Sequence, residues 1–396
     1  MKKEEFVNSF SIDKKLAEDI DFNPYSQIVQ SGLDRNIVVN GKKLISLGTN
    51  DYLGLANNNT IKKEAIRILE TFGMSMCGTP IVVGQTNINR SLETEIAKFL
   101  KQDDALVFPS CYQSNMSIFQ LLANEEDVII ADREIHSSLL NGIALCKASF
   151  KMFPHNNAGK LEKILERYQA RRMKFVVVEG LYSTNGDIPP LAEIAKIAKK
   201  FDAFIIVDDA HGLGVLGKEG RGIAEVSETF KDIDLITGSF GKAVGTFGGF
   251  ITGNRELIDA FRYGTPMYLY STALPPSIAA ATIVSLRYIK DHPELREKIG
   301  QLATRLLNAL KSMNFSITKS STPVVSVIFR SSEDTFLATK MLFEKGVYAV
   351  PFIPPSVPRD TARIRLTLNA TLKEEDVDFT IKVFDEIRKE KPEWVK

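Results

Sequence analysis

From about residue 90 the chain alternates short apolar runs with stretches of helical period. Residues 105–108, 128–130, 175–178, 204–207 and 235–236 are runs rich in Val, Ile, Leu and Phe, and 250–252 is a further short one. Segments of helical period at 91–100, after 110–115 to about 122, at about 159–169 and at 191–200 lie around them, the first placing Leu92, Ile96, Ala97 and Leu100 on one face. Strands apolar on both faces, alternating with amphipathic helices, predict an α/β fold with a mostly parallel central sheet covered by helices. Upstream, Asn40-Gly41 between two β-rich runs, 37–39 and 44–47, predicts a tight hairpin. Thr60 is the expected N-cap of a helix reaching about Phe72. Beyond Ser271, helical patterns cover about 276–290 and 293–313, and the last ~80 residues read β-α-β-β-α over 324–329, 333–345, 347–352, 363–368 and 373–388. The expected organisation is an N-terminal arm and hairpin over 1–58, a large domain over 59–290 and a smaller C-terminal α+β domain over 291–396.

Charge and cysteine usage narrow the classes of function. Fifty basic residues against 49 acidic ones leave a net charge of +1, with no electrostatic footprint for nucleic acid or an anionic membrane. Cys77, Cys111 and Cys146, with His136, His155, His211 and His292, show no metal-binding spacing, so no metal is expected. The sparse, odd cysteine count fits a reducing cytoplasm. Residues 1–20 lack the apolar core of a signal peptide, and no run approaches the ~18 residues of a membrane span. The expectation is a cytoplasmic enzyme or binding protein.

In a parallel sheet the ligand crevice lies beyond the carboxyl ends of the strands. Those ends carry Ser110 and Cys111, then Asp132 and His136, then Glu179 and Ser183, then Asp208, Asp209 and His211, and finally Ser239 and Lys242. Lys242 sits in the turn Thr237-Gly238-Ser239-Phe240-Gly241-Lys242-Ala243-Val244-Gly245, followed by Gly248-Gly249. Such a turn lets backbone approach an anion while one amine points at a fixed target, which suits a lysine forming an imine with a phosphate-bearing aldehyde cofactor. Taken alone, the turn is equally a solvated lysine among glycines. Asp208 changes that balance: pyridoxal phosphate needs an acid beside its ring nitrogen and an imine-forming lysine, and the ends of successive strands can converge on one ring. His211 could reach the ring hydroxyl, and His136 could stack on the ring and take part in proton transfer. Ser110-Cys111-Tyr112, entering a helix, offers N–H groups to a phosphate, or is a plain serine cap. Gly212-Leu213-Gly214-Val215-Leu216-Gly217 matches a dinucleotide fingerprint in letters, but more glycine follows where a helix should open.

In order along the chain, Asn50-Asp51-Tyr52-Leu53-Gly54-Leu55, Ser110-Cys111-Tyr112-Gln113-Ser114-Asn115, Val207-Asp208-Asp209-Ala210-His211-Gly212, Ser239-Phe240-Gly241-Lys242 and Arg363-Ile364-Arg365-Leu366 resemble the motifs of the α-oxoamine synthases. The resemblance covers about residues 35–385. It implies the fold-type-I architecture of pyridoxal-phosphate enzymes and a homodimer with its active site at the subunit interface. The implied reaction condenses a small amino acid (glycine, alanine or serine) with an acyl thioester of CoA or an acyl carrier protein. An aminoketone, the free thiol and usually carbon dioxide are released. Residue by residue, it implies Lys242 as the cofactor-bound lysine and base, Asp208 on the ring nitrogen, His211 on the ring oxygen, His136 over the ring and Ser183 beside the cofactor. The phosphate would be held around Ser110, Cys111 and Tyr112, by Ser239, and by Ser271 and Thr272 from the partner subunit. Arg365, with Asn50, would clamp the amino-acid carboxylate. Pro80, Asn89 and Leu372 replace the family's usual Arg, His and His, and Ser239 replaces a commoner Thr. The first three departures fall where the acyl donor and the C-terminal domain are read, so the resemblance does not choose the thioester. A type-I aminotransferase and a catalytically silent partner subunit are the alternatives, the second opposed by the presence of Lys242.

Overall fold

The computed structural model describes residues 3–8, 14–25 and 27–395; of the expected N-terminal arm, residues 1–2, 9–13 and 26 lie outside the described residues. The chain divides into two compact units, one of Met1–Thr49, Thr184–Gly186 and Lys298–Lys396, the other of Asn50–Ser183 and Asp187–Glu297.

In the first unit, β1 (Asn36–Val39) and β2 (Lys42–Ser46) pair antiparallel, with Val39 opposite Lys42. Asn40 and Gly41 both take positive φ, +50° and +75°, as a two-residue turn matched to strand twist demands. The hairpin is therefore set by two adjacent residues that tolerate the left-handed region.

The second unit is built on a seven-stranded sheet of β3 (Asp104–Phe108), β4 (Val128–Asp132), β5 (Ser149–Phe153), β6 (Lys174–Glu179), β7 (Phe204–Asp208), β8 (Leu235–Ser239) and β9 (Gly249–Gly253). Their spatial order is β3-β9-β8-β7-β6-β4-β5, and only β9 runs antiparallel to its neighbours. The helices Asn87–Phe99, Cys111–Leu122, Ala158–Arg167 and Leu191–Lys200 follow the expected pattern. Leu106, Phe119, Ile129, Val177, Ile206, Leu235 and Ile251 form the fully buried centre, the apolar-on-both-faces signature of a covered sheet. Strand β5 has no counterpart in the apolar pattern: among the described residues it is an edge strand bonded to β4 alone, and its Lys151 and Met152 are exposed. The cap of the helix Asn59–Phe72 is Asn58, not Thr60; Asn58 Oδ1 accepts from the N–H groups of Thr60 and Ile61. The glycines from Gly212 to Gly217 stay in turns, and helix resumes only at Ile223–Val226.

The C-terminal part of the first unit adds β10 (Val324–Ile328), β11 (Val347–Tyr348), β12 (Val350–Phe352) and β13 (Arg363–Thr367). The single strand expected over 347–352 is instead two. β11 joins the hairpin as β1-β2-β11, and β12 joins β10-β13-β12, the chain changing sheets at Ala349. One apolar run can serve both because each sheet takes only a few residues of it. The core here includes Leu306, Leu310, Val327, Leu342, Ile364, Leu366, Phe384 and Ile387. Residues 184–186 are bound into this unit through their carbonyls: Ser326 Oγ donates to Thr184 (2.7 Å), Thr318 Oγ1 to Asn185 (2.6 Å) and Thr322 Oγ1 to Gly186 (2.9 Å). Among the described residues no helix is long and apolar enough to cross a membrane, and no cluster of three or more His, Cys, Asp or Glu could hold a metal ion.

Candidate active site

Asp208 ends β7, is 4% exposed, and is gripped on both oxygens: Asn115 Nδ2 donates to Oδ2 (2.7 Å) and the Ala210 N–H to Oδ1 (3.0 Å). Asp209 points elsewhere. Its carboxyl takes the Ile223 N–H (2.7 Å) inside a cage where a Cβ on Gly180, Gly212 or Gly222 would lie within 2 Å of a carboxyl oxygen. Burial pushes Asp209 up to about 7, so of the Asp-Asp pair only Asp208 is available to face a ligand.

Lys242 follows β8 in a turn closed by Phe240 N–H to Gly248 C=O (2.9 Å), Thr246 N–H to Phe240 C=O (2.9 Å) and Gly245 N–H to Lys242 C=O (2.8 Å). Gly245 has φ +70°, and a Cβ there would come within 2.5 Å of the Ala56 nitrogen. The lysine is thus carried on backbone with little freedom. Asp208 and Lys242 both act electrostatically on the same four groups, Cys111, His136, Glu179 and Asp209, which come from different strand ends. The two charges therefore share one neighbourhood at the carboxyl edge of the sheet.

The helix Cys111–Leu122 begins at that edge with Ser110 as its cap, Oγ accepting the Gln113 N–H at 3.2 Å. Gly249 lies against its first residue: a Cβ there would be 2.3 Å from the Cys111 nitrogen. The open first-turn N–H groups and the positive helix end suit a phosphate. Ser239 Oγ accepts the Gly241 N–H (3.2 Å), and within one chain Gln113 Nε2 donates to Ser271 Oγ (3.3 Å). Thr272 is exposed; Tyr112 is 40% exposed, its hydroxyl accepting from Asn141. Burial, with Asp208 adding and Lys242 opposing, lifts the Cys111 thiol to about 12, so it contributes backbone and not a thiolate.

His136 caps the helix Ser137–Ala144 through Nδ1, which accepts the Ser138 N–H. Desolvation, assisted by Lys242 and opposed by Asp208, holds its imidazole below the ordinary value. His211 Nδ1 is hydrogen-bonded to the Tyr52 hydroxyl at 2.7 Å, both side chains being buried. Glu179, opposite Asp208 on β6, accepts the backbone N–H groups of His136 and Ser183. Burial, then the Asp208 charge, raises Glu179 well above the usual carboxylate range. Asn115 and Tyr52 have no signal of their own in the sequence beyond lying inside the motifs, Ser138 has none, and Glu179 is marked only by its place at a strand end. Asn50 belongs to the second unit. Arg365, in the first, lies on β13 with its guanidinium 4.6 Å from the Phe352 ring. The acid, amine, imidazoles, hydroxyls and helix N-terminus make a donor set that fits pyridoxal phosphate.

The segments carrying His136 and Ser183 share a further support. His155 joins Asp132 Oδ1 through Nδ1 (2.9 Å) and Asp187 Oδ2 through Nε2 (2.8 Å), edge-on to Tyr182. Burial opposes its charge, but the two carboxylates outweigh it and carry His155 to about 10. Because the folded value is raised, the contribution is complete below an unfolded value of ~6.5 and is lost as pH rises through about 10. His155→Gln is expected to cost about 3 kcal/mol near pH 7, with the gap to wild type closing above about pH 10. Urea unfolding of both proteins at the two pH values checks this; an equal gap at both would reject the charged bridge.

Residues 42–384 match the family Aminotransferase class I and II. The 8-amino-7-oxononanoate synthase of Thermoanaerobacter pseudethanolicus is 35% identical over 364 residues, 92% of this chain and 92% of that relative. The enzyme of the same name from Methylococcus capsulatus is 36% identical over 355 residues, 89% and 92% of the two chains. Among solved structures, serine palmitoyltransferase from S. paucimobilis, with pyridoxal phosphate and myriocin bound, is similar with a TM-score of 0.94 at 28% identity, over 98% of this chain and 99% of that one.

Proposed function

The chain belongs to the aminotransferase class I and II family, as an α-oxoamine synthase, and from that premise we propose that it condenses glycine, alanine or serine with an acyl thioester, releasing the thiol and usually carbon dioxide. At the coarser level it is a pyridoxal-phosphate-dependent C-acyltransferase acting on an amino acid. The observation that carries the reading is the shared neighbourhood of Asp208 and Lys242 at the ends of β7 and β8, beside a helix N-terminus.

When bound, pyridoxal phosphate supplies the electron sink that makes an amino-acid α-carbon nucleophilic. Asp208, fixed by Asn115 and Ala210, holds a proton on the ring nitrogen. Lys242 would hold the cofactor through its side-chain amine and would take the substrate α-proton on Nζ. The first turn of Cys111–Leu122 and Ser239, with the hydroxyls of Ser271 and Thr272 from the partner subunit, would bind the phosphate. His211, oriented by its hydrogen bond to Tyr52, would hold the ring oxygen, with His136 over the ring and Ser183 beside the cofactor. Arg365 and Asn50 bind the substrate carboxylate, a planar fork being matched to two oxygens. Exposed apolar residues of the second unit, Met74 at 76%, Val82 at 79% and Tyr270 at 85%, support a homodimer that covers them.

Titration of the holoenzyme with glycine, alanine and serine, followed by thiol release from CoA and carrier-protein thioesters of graded chain length, tests the proposal. One amino acid is expected to shift the visible cofactor band and to drive stoichiometric thiol release by a protein that sediments as a dimer. A keto acid formed without thiol release would identify a transaminase instead.

A further inference from the structure

We propose that Asn115 and Ser138 are positioning residues that hold His136 as the neutral imidazole carrying its proton on Nε2, through hydrogen bonds that Asn115 donates in two directions, to Asp208 and to Ser138. The inference rests on the reading of Asp208 and His136 as cofactor-facing groups, but its argument is donor counting at four side chains.

Asn115 is fully buried, and its amide nitrogen has two protons to give. One goes to Asp208 Oδ2 at 2.7 Å and the other to Ser138 Oγ at 2.8 Å. The opposite amide orientation would set an oxygen against the Asp208 carboxylate, so the chemistry of the neighbours fixes which atom is nitrogen. Among the described residues Asn115 Oδ1 has no hydrogen-bond partner. A buried, unsatisfied carbonyl is a cost, and the side chain is explained by its two donors.

Ser138 Oγ accepts from Asn115 Nδ2, and its own proton has His136 Nδ1, at 2.7 Å, as an acceptor within reach. The Ser138 backbone N–H points at the same nitrogen at 3.2 Å. A ring nitrogen facing two donors is an acceptor, which leaves the single proton of the neutral ring on Nε2. Forming imidazolium would require the hydroxyl to turn away and the helix cap to be given up. Three further groups bear on His136: Asp208 on β7, Lys242 after β8, and Glu179 on β6, whose carboxyl accepts the His136 backbone N–H. Asp208 favours a positive imidazole and Lys242 disfavours it. The hydrogen-bond chain adds to the second and makes His136 a donor from Nε2 throughout the working pH range.

The test is proton–nitrogen NMR of holoenzyme labelled with 15N-histidine, which has four imidazoles to resolve, His136 being assigned by its loss in His136→Asn. At pH 7 wild-type His136 is expected to show an acceptor-type Nδ1 and a protonated Nε2. Ser138→Ala, which removes one of the two donors, is expected to raise the His136 titration midpoint by about one pH unit and to move the acidic limb of the kcat/KM profile with it. A wild-type Nδ1–H tautomer or imidazolium at pH 7 overturns the proposal, as does an unchanged midpoint in a folded Ser138→Ala variant. The wild-type spectrum decides the tautomer even if the variant fails to fold. The expected tautomer without thiol release would sink the proposed reaction and leave this inference standing.

Discussion

Lys242→Ala is expected to lower turnover by at least about ten-thousand-fold and to abolish borohydride-stable attachment of the cofactor to the chain. Two functions leave together. The amine is both the point of covalent attachment and the base at the substrate α-carbon, and proton transfer alone is worth roughly a hundred- to ten-thousand-fold. Nothing adjacent can replace it: the Cys111 thiol is lifted to about 12 by burial, and burial holds the His136 imidazole below its ordinary basicity. The substitution should leave the fold intact, because the turn is closed by backbone bonds and by the close approach of Gly245 to Ala56. Mass spectrometry of borohydride-treated wild type and variant, with steady-state thiol release, checks the result. Activity within tenfold of wild type would mean that the reacting amine is elsewhere.

Asp208 and Lys242 were legible in the sequence for the same reason that the sheet was. Strands buried on both faces write unbroken apolar runs, and the first polar residue after each run is a strand end. The pattern weakens where burial does. β5 is bonded on one side only and reads as polar, and the run at 347–352 cannot announce that Ala349 marks a change of sheet. Asn58 and Thr60 are both fair caps by residue type, and only the backbone decides between them. The supports of the site were hidden more deeply. Asp132, His155 and Asp187 meet across long sequence separations, and Asn115 and Ser138 sit in helices whose polar residues give no sign of facing inward. Asn89, a departure from the family motif, acquires a local reason: its Nδ2 donates to Leu274 C=O (2.9 Å), anchoring the segment that follows Ser271 and Thr272.

Asp208→Asn is expected to cost about a thousand-fold in turnover while preserving the fold. The replacement is nearly isosteric, so packing against Asn115 survives, but an amide cannot satisfy the same partners. Asp208 accepts on both oxygens, from Asn115 Nδ2 and from the Ala210 N–H. An Asn there must turn its NH2 toward one of those two donors, or else rotate away. More consequentially, a neutral side chain cannot stabilise a positive ring nitrogen, and removing one partner of a buried charge pair costs roughly 3–5 kcal/mol, about two to four powers of ten in rate. Glu179 limits the damage only in part. The Asp208 charge is one cause of its raised pKa, so the substitution lets Glu179 ionise more readily, but its carboxyl is already engaged by the N–H groups of His136 and Ser183. Thermal melts of the variant should stay close to wild type while kcat falls and the visible cofactor band shifts. A turnover within tenfold of wild type, with cofactor bound, would place the acid that governs the ring somewhere other than the end of β7.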